Sequence, residues 1–293
     1  MTEPVPPTPV PPSEADRALK ATQRAMWASG DYPAVAAHVI PNLGAVLTQA
    51  CGIHAGQRVL DVGAGSGNVA IPAALTGAHV VASDLTPELF DVGRQMANAR
   101  GVDLEWWEAD AESLPFADGE FDVVTSCVGV MFAPHHQDSA DEMVRVCAPN
   151  GTIGLINWTP TGFIGRMLAV MKPYAPQPPP GAQPPPLWGD EAHVRDLLGD
   201  RVTDVVARRD VVRVDRFDGP GEFRDYFKTN YGPTIAVYKA LNDTEGAAGT
   251  ADAADKAAAL DAELVDLARQ HDVGAGSFAM DWEYLLFTAR KRG

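Results

Sequence analysis

Cysteine is scarce in this 293-residue chain: Cys51, Cys127 and Cys147 are odd in number, widely spaced and form no CxxC pair. Neither a disulfide framework nor a zinc site is indicated, and a reducing, cytoplasmic setting is the expectation. Basic residues are also short, 23 Lys and Arg against 39 Asp and Glu, for a formal net charge of −16. A negative field of that size repels phosphate backbones and anionic lipid, so neither nucleic acid nor a membrane is an expected partner. No run reaches the roughly 18 apolar residues needed to cross a bilayer, and no basic segment followed by an apolar core opens the chain. Internal repeats are missing too.

What is present is a hydrophobic content of 46%, enough for one large α/β domain with an elaboration. Residues 1–13 begin "MTEPVPPTPVPP", almost free of large apolar side chains, and are expected to be a disordered tail. From Glu14 to about Gln49 the spacing is helical, with Leu19, Thr22 and Met26 on one face, a break at Gly30, and a second segment through Val35 and Val39. From Arg58 short apolar runs alternate with helical ones, the pattern of a parallel sheet wrapped by helices. Candidate strands are 58–63, 79–85, 104–110, 121–128 and 152–158. Ala140, Met143, Val144 and Cys147 recur at helical spacing before a "PNG" turn, which makes Cys147 a core residue. Beyond Trp158 the segment "KPYAPQPPPGAQPPPLWGD" is a stiff polyproline strap, with Tyr174 and Trp188 favouring a covering role. A helix near 191–198, a β-like run over 204–215, helical spacing over 222–241, a helix through Ala257, Leu260, Leu264 and Leu267, and a last strand over 278–290 complete the chain.

The stretch "VLDVGAGSGNVA" at 59–70 is a strand running into a glycine-rich turn, which lets backbone N–H groups approach a ligand closely. Gly67 is followed by Asn68 and Val69 rather than Lys-Ser/Thr, so it is no P-loop. Asn68 also stands where a dinucleotide fingerprint has its third glycine. The carboxylate of Asp61 would repel a pyrophosphate, yet it suits a ligand carrying an ammonium and a sulfonium. That chemistry is S-adenosyl-L-methionine. Asp84 closes the second strand, where a carboxylate can accept both hydroxyls of a ribose. Asp110 closes the third, placed for an adenine amino group with the Ala111 N–H beside it; Glu112 competes with Asp110 for that end.

These residues, with "VVASDLTPELFDVGR", "EADAESLPFADGEFDVVTSCVGVMFAPH" and "DEMVRVCAPNGTIGLINW", resemble the class I S-adenosylmethionine-dependent methyltransferases over about 58–158, in particular the ubiquinone/menaquinone C-methyltransferase-like small-molecule branch. The resemblance implies a Rossmann-like, doubly wound, seven-stranded and mostly parallel sheet whose last strand, "FAMDWEYLLFTAR", runs antiparallel. It implies that the Gly63 backbone and the Cys127 region flank the methionine end. The candidate cofactor set is therefore Asp61, Gly63, Ala64, Gly65, Asn68, Asp84, Leu85, Asp110, Ala111, Glu112, Cys127 and Val128, with S-adenosyl-L-homocysteine as product and no metal. The division expected along the chain is a helical cover at 14–50, a cofactor core at 51–158, a lid and substrate region at 159–250, and a last helix and strand at 251–293.

His135 and His136 follow the fourth strand on the ligand edge and are the candidate catalytic pair, as general base or substrate contact. As an exposed pair at a helix start they would instead do nothing chemical. Phe132, Trp158, Trp188 and Tyr231 are the candidate substrate contacts, with Tyr226 nearby, and point to a small apolar or aromatic acceptor methylated on oxygen or carbon. Trp27 and Tyr32 are placed to close over the cofactor. "SCVGV" at 126–130 lacks the Asn/Asp-Pro-Pro-aromatic tetrad of relatives that methylate amide or exocyclic nitrogen. Binding of the cofactor without transfer, or a nicotinamide oxidoreductase, are the alternatives. The strap is a candidate lid, and with the N-terminal helices it offers a surface for a homo-oligomer.

Overall fold

The computed structural model describes residues 14–243 and 250–293, so the expected proline-rich tail lies outside the described residues. Strands β1 (Arg58–Val62), β2 (His79–Asp84), β3 (Glu105–Glu108), β4 (Phe121–Cys127), β5 (Cys147–Trp158), β6 (Val202–Val214) and β7 (Met280–Lys291) form one sheet in the order 3-2-1-4-5-7-6. The first five pair in parallel, and β7 runs antiparallel between β5 and β6. The seven-stranded sheet with its reversed last strand is as the resemblance implied. Val59, Leu60 and Val62 of β1 and Phe121, Val123 and Val124 of β4 are all buried. Both faces of these central strands are covered, which is why they read as continuous apolar runs rather than alternating ones.

The covering helices are α1 (Glu14–Trp27), α2 (Tyr32–Val39), α3 (Leu43–Ala50), α4 (Ala70–Leu75), α5 (Phe90–Ala99), α6 (His136–Val146), α7 (Phe163–Met171), α8 (Glu191–Leu198), α9 (Pro220–Asn230), α10 (Gly232–Asp243) and α11 (Thr250–Gln270). The break at Gly30 is present, and a second one at Pro41 and Asn42 separates α2 from α3. The expected helix over 222–241 is likewise two, parted at Tyr231. Pro233 has no N–H and restrains the residue before it. The break also brings Gly232 against the end of α1, where a Cβ would lie 2.4 Å from the Met26 carbonyl oxygen.

Helix α6 stops at Val146, so Cys147 belongs to the start of β5, where it is fully buried as core. The "PNG" segment is a bulge inside that strand, with Asn150 at φ 61° and a register shift against β4. The strap is docked rather than free. Trp188, in the single turn Pro185–Gly189, is fully buried, and the Tyr174 hydroxyl donates to Glu263. Helix α1 buries no residue. Polar contacts tie it down: Lys20 pairs with Asp110 and Glu112, and Arg24 with Glu88 and Glu108.

Candidate functional site

The carboxyl ends of β1, β2 and β4 open on a cavity roofed by α1 and by Tyr32 at the start of α2. The loop after β1 forms its floor. Gly63, Gly65 and Gly67 all adopt left-handed backbone, at φ of 66°, 55° and 89°. Gly63 also packs against Gly129 of the loop after β4, where a Cβ on Gly63 would lie 2.9 Å from the Gly129 Cα. Val128, beside that contact, holds a left-handed φ of 50°. A β-branched residue there is strained, and such strain collects at ligand-contacting loops.

Asp84 ends β2 with both carboxylate oxygens engaged. Oδ2 accepts from the Gly65 N–H at 2.8 Å and Oδ1 from the Thr86 N–H at 2.8 Å. Burial raises its pKa while these backbone donors oppose the shift. Each oxygen keeps a further lone pair, and the Thr86 side chain beside it helps hold its charge. Asp84 and Thr86 both line the cavity, as do Gly63, Gly65, Leu85 and Ala111. Asp110 lines it too; its Oδ1 accepts from the Glu112 N–H at 3.0 Å and from Lys20 Nζ at 2.9 Å.

Other members of the sequence set lie outside the lining. Asp61 is buried, accepting from the Ala70 N–H at 3.1 Å and from Thr125 Oγ1 at 3.2 Å, so its carboxylate anchors the start of α4. Ala64 donates its N–H to the Ser83 carbonyl at 3.0 Å, and the amide nitrogen of Asn68 is buried without a partner among the described residues. Cys127 is buried, and burial pushes its thiol far above its ordinary pKa, which keeps it protonated and unreactive. Glu112 accepts from Lys20 Nζ at 2.7 Å and from the His135 N–H at 2.8 Å. Burial alone would raise its pKa, but those partners outweigh it and hold the carboxyl low.

The two histidines stand in the wall. The His135 ring pairs with Glu112, its Nδ1 3.0 Å from the carboxylate. His136 is fully buried, with Nδ1 3.0 Å from His193 Nε2 and its ring 5.5 Å from Trp188, and burial lowers its pKa to about 4. Neither lines the cavity. Trp188 is likewise taken up in joining the strap to α6 and α8.

A second, smaller chamber of about 20 Å³ adjoins the first, sharing Tyr32, Val128 and Phe132 with it. Trp158 and Tyr231 line it as well, joined by Ile164, Phe227 and Trp282, which the sequence reading did not single out. Tyr226 is not part of it; its ring lies 4.2 Å from the Arg216 guanidinium carbon. Trp27 closes the roof, with edge contacts to Tyr32, Phe132 and Tyr231 at 5.3, 4.8 and 5.9 Å. Lys20, Gln23 and Thr86 also line the first cavity unforeseen. Among the described residues no cluster of three or more His, Cys, Asp or Glu is set to hold a metal, and no helix is long and apolar enough to cross a membrane.

The buried Asp61 carries a pH dependence. Burial, opposed by Thr125 and the Ala70 N–H, raises its pKa from 3.8 to about 7. The folded chain then binds a proton that the unfolded chain releases, so stability is lost as pH rises from about 4 to about 7. At about 1.4 kcal/mol per pH unit, this amounts to about 2–3 kcal/mol between about pH 5 and pH 7. Asp61→Asn removes the titration. Urea unfolding is expected to show the variant gaining stability relative to wild type as pH rises; a constant difference would show that Asp61 ionises normally.

A sheet of this order, with a cavity where the crossover connections change direction, is the architecture of Rossmann-like methyltransferases. Residues 60–155 match the family described as "Methyltransferase domain". It is 51% identical over 281 residues to the uncharacterized protein Rv1405c of Mycobacterium tuberculosis, covering 96% of this chain and 98% of that one. A demethylmenaquinone methyltransferase of Thermus thermophilus is 36% identical over 106 residues, which is 36% of this chain and 48% of that protein. In structure, a Bacillus halodurans protein described as a methyltransferase superimposes with a TM-score of 0.54 at 21% identity, over 85% of this chain and 99% of that one. Phosphoethanolamine N-methyltransferase 2 of Haemonchus contortus, solved with S-adenosylhomocysteine, gives 0.50 at 16% identity over 86% and 53%.

Proposed function

We propose that this chain binds S-adenosyl-L-methionine in the cavity at the carboxyl ends of β1, β2 and β4 and methylates oxygen or carbon of a small apolar or aromatic acceptor that reaches it from the side of the adjoining apolar chamber, releasing S-adenosyl-L-homocysteine. One observation carries the reading: the glycine loop, Asp84 and Asp110 converge on one cavity, and that cavity shares a wall of Tyr32, Val128 and Phe132 with an apolar chamber. The donor set fits the cofactor. Asp84 would take the ribose hydroxyls; Asp110 and the Ala111 N–H would take the adenine edge, with Lys20 and the Glu112 N–H holding Asp110 in place. The backbone of Gly63 and Gly65 and the wall at Val128 would hold the methionine end, with Asp61, Ala64, Asn68 and Cys127 supporting that loop from beneath.

The cofactor supplies a methyl group activated on a positively charged sulfur. The chain's own contribution is alignment and exclusion of water, because proximity alone can supply about 7–11 kcal/mol when reacting groups are held in line. A positioned base adds a smaller factor, about 10² to 10⁴. Since His135 and His136 lie outside the lining, the reading does not rest on them. The same division assigns 14–50 to the cover, 51–158 to the cofactor and 159–250 to the acceptor side.

Calorimetry with S-adenosylhomocysteine, followed by incubation of the protein with isotope-labelled methyl donor and a cell extract, tests this. Binding and a labelled product of low molecular mass are expected. Binding without labelled product would make the chain a cofactor-holding module, and binding of NADH in place of S-adenosylhomocysteine would make it an oxidoreductase.

A further inference from the structure

We propose that the outer edge of β6 is an interface for a second copy of this chain, the two sheets joining antiparallel about a two-fold axis that passes through Arg209. This surface is distinct from the strap and the N-terminal helices.

The two edges of the sheet differ. At one end β3 is four residues long, and so short an edge offers little for another strand to pair with. At the other end β6 is thirteen residues long and pairs on one side, with β7. Its irregularity is confined to the start, where Asp204 holds a φ of 50° and the register against β7 shifts between Thr203 and Val206. From Val206 to Val214 the register is continuous. A long, regular edge presents a row of backbone N–H and C=O groups, which is a template for a further strand.

Two hydrogen bonds show which of those groups face outward. The Thr159 N–H donates to the Glu283 carbonyl at 3.3 Å, so Glu283 turns its backbone toward β5 and away from Val211, its neighbour in β6. The Val211 N–H accordingly donates to the Asp210 carboxylate at 2.9 Å. Alternation along the strand then points the N–H and C=O groups of Ala207, Arg209, Val211 and Arg213 to the outside.

An antiparallel partner must set outward residues against outward residues, and charge selects the register. An axis on Arg208 or on Asp210 would press that residue against its own copy. An axis on Arg209 instead sets Arg208 against Asp210 of the second copy, and does so twice. Arg208 and Asp210 are 58% and 46% exposed, and within one chain they stand 3.8 Å apart, so both are free to turn to the new partner. The two Arg209 side chains meet on the axis, but each already lies 3.6 Å from the Glu283 carboxylate of its own chain. The same register sets Val206 against Val212 and Val211 against Ala207. Val206 and Val211 are among the most exposed large apolar side chains, at 56% and 47%, whereas Val212 and Ala207 pack against the core. Each exposed valine therefore gains an apolar neighbour, the cross-strand contact that stabilises sheets.

Analytical ultracentrifugation of the full chain, over a concentration series up to about 100 µM, tests this, and a dimer is expected. Val211→Pro removes an outward N–H that the β7 ladder does not use, a position at which an edge strand tolerates proline. It should raise the dimer dissociation constant at least about tenfold, while circular dichroism shows the wild-type fold. Arg208→Asp and Asp210→Arg each bring like charges face to face and should weaken the dimer about fivefold; combined, they restore the pair and should return the constant to within about twofold of wild type. Arg209→Cys places a thiol beside its own copy at a Cα separation of about 5.5 Å, which a disulfide spans, so oxidised glutathione should give a covalent dimer on a non-reducing gel. The three native cysteines are buried and do not compete. Arg213→Cys faces Val205 of the second copy and should give no such product. A single-chain mass at every concentration, a dimer untouched by Val211→Pro, no recovery in the double charge variant, or cross-linking through position 213 in place of 209 would overturn the proposal.

Discussion

Asp84→Ala is expected to lower S-adenosylhomocysteine affinity by about 10² to 10⁴-fold, the largest functional effect of any single substitution in the cavity. Two contributions add. A carboxylate that takes both hydroxyls of a ribose makes two charged hydrogen bonds, each worth about 1.5–3 kcal/mol, and about 1.4 kcal/mol is a factor of ten. The same carboxylate also holds the Gly65 N–H and the Thr86 N–H, each at 2.8 Å, so its removal frees the glycine loop and the turn after β2 at once. Asp84→Asn separates the two contributions. Its amide group must turn a donor toward one of those N–H groups, so part of the loop contact is lost, while one oxygen still accepts from the ligand. Calorimetry on both variants, with circular dichroism to show that each is folded, is expected to rank them wild type, Asn, Ala. An Ala variant that binds as wild type would remove Asp84 from the site and with it the ribose assignment.

Asp84 and Asp110 were legible in the sequence because topology alone places them. In a parallel sheet with right-handed crossovers every carboxyl end lies on one edge, so an acid that closes a strand, as Asp84 does, or follows it closely, as Asp110 does two residues beyond the end of β3 at Glu108, is delivered to the cavity side. The strands were legible for a related reason: β1 and β4 are covered on both faces, and uninterrupted apolar runs bounded by polar turns have few other readings. The same local logic placed His135 and His136 on the ligand edge, since they follow β4 closely. There it stops short, because what a side chain faces depends on partners remote in the sequence. Glu112 takes the ring of His135, and His193 with Trp188 encloses His136.

Remote partners also explain what the sequence hid. Lys20 sits 90 residues before Asp110, on a helix with no buried residue, and nothing in its neighbourhood marks it as part of a cavity. Trp282 lies in a strand recognisable as the last one, yet only insertion of that strand between β5 and β6 brings its ring beside Trp158. Asp61 shows the converse. Its position before the glycines is conspicuous, while its carboxylate is spent on the Ala70 N–H and Thr125 below the cavity floor.

Gly129→Ala is expected to lower stability, and it reports on how the site is built. A Cβ there would lie 2.4 Å from the Gly63 carbonyl oxygen and 2.9 Å from the Gly63 Cα. Both are backbone atoms of a loop already committed to left-handed φ, so neither neighbour can swing aside as a side chain would. Relief has to come from separating the loop after β4 from the loop after β1, and those two loops are the floor and wall of the first cavity. Forcing a methyl group into such a contact costs about 1–3 kcal/mol or more, which for a chain of this size lowers the melting temperature by roughly 2–4 °C per kcal/mol. Because Gly129 itself has a φ of −99°, an alanine there suffers no backbone strain, and the loss measures the loop contact alone. Gly101→Ala supplies the contrast: φ is 71° and nothing lies within 4 Å, so only strain of about 1–2 kcal/mol is expected, with no change in ligand affinity. Thermal unfolding and S-adenosylhomocysteine titration of both variants should therefore diverge, with Gly129→Ala losing stability and affinity together. Wild-type affinity in a destabilised Gly129→Ala would show that the two loops can part without disturbing the ligand, and that their close approach serves the fold alone.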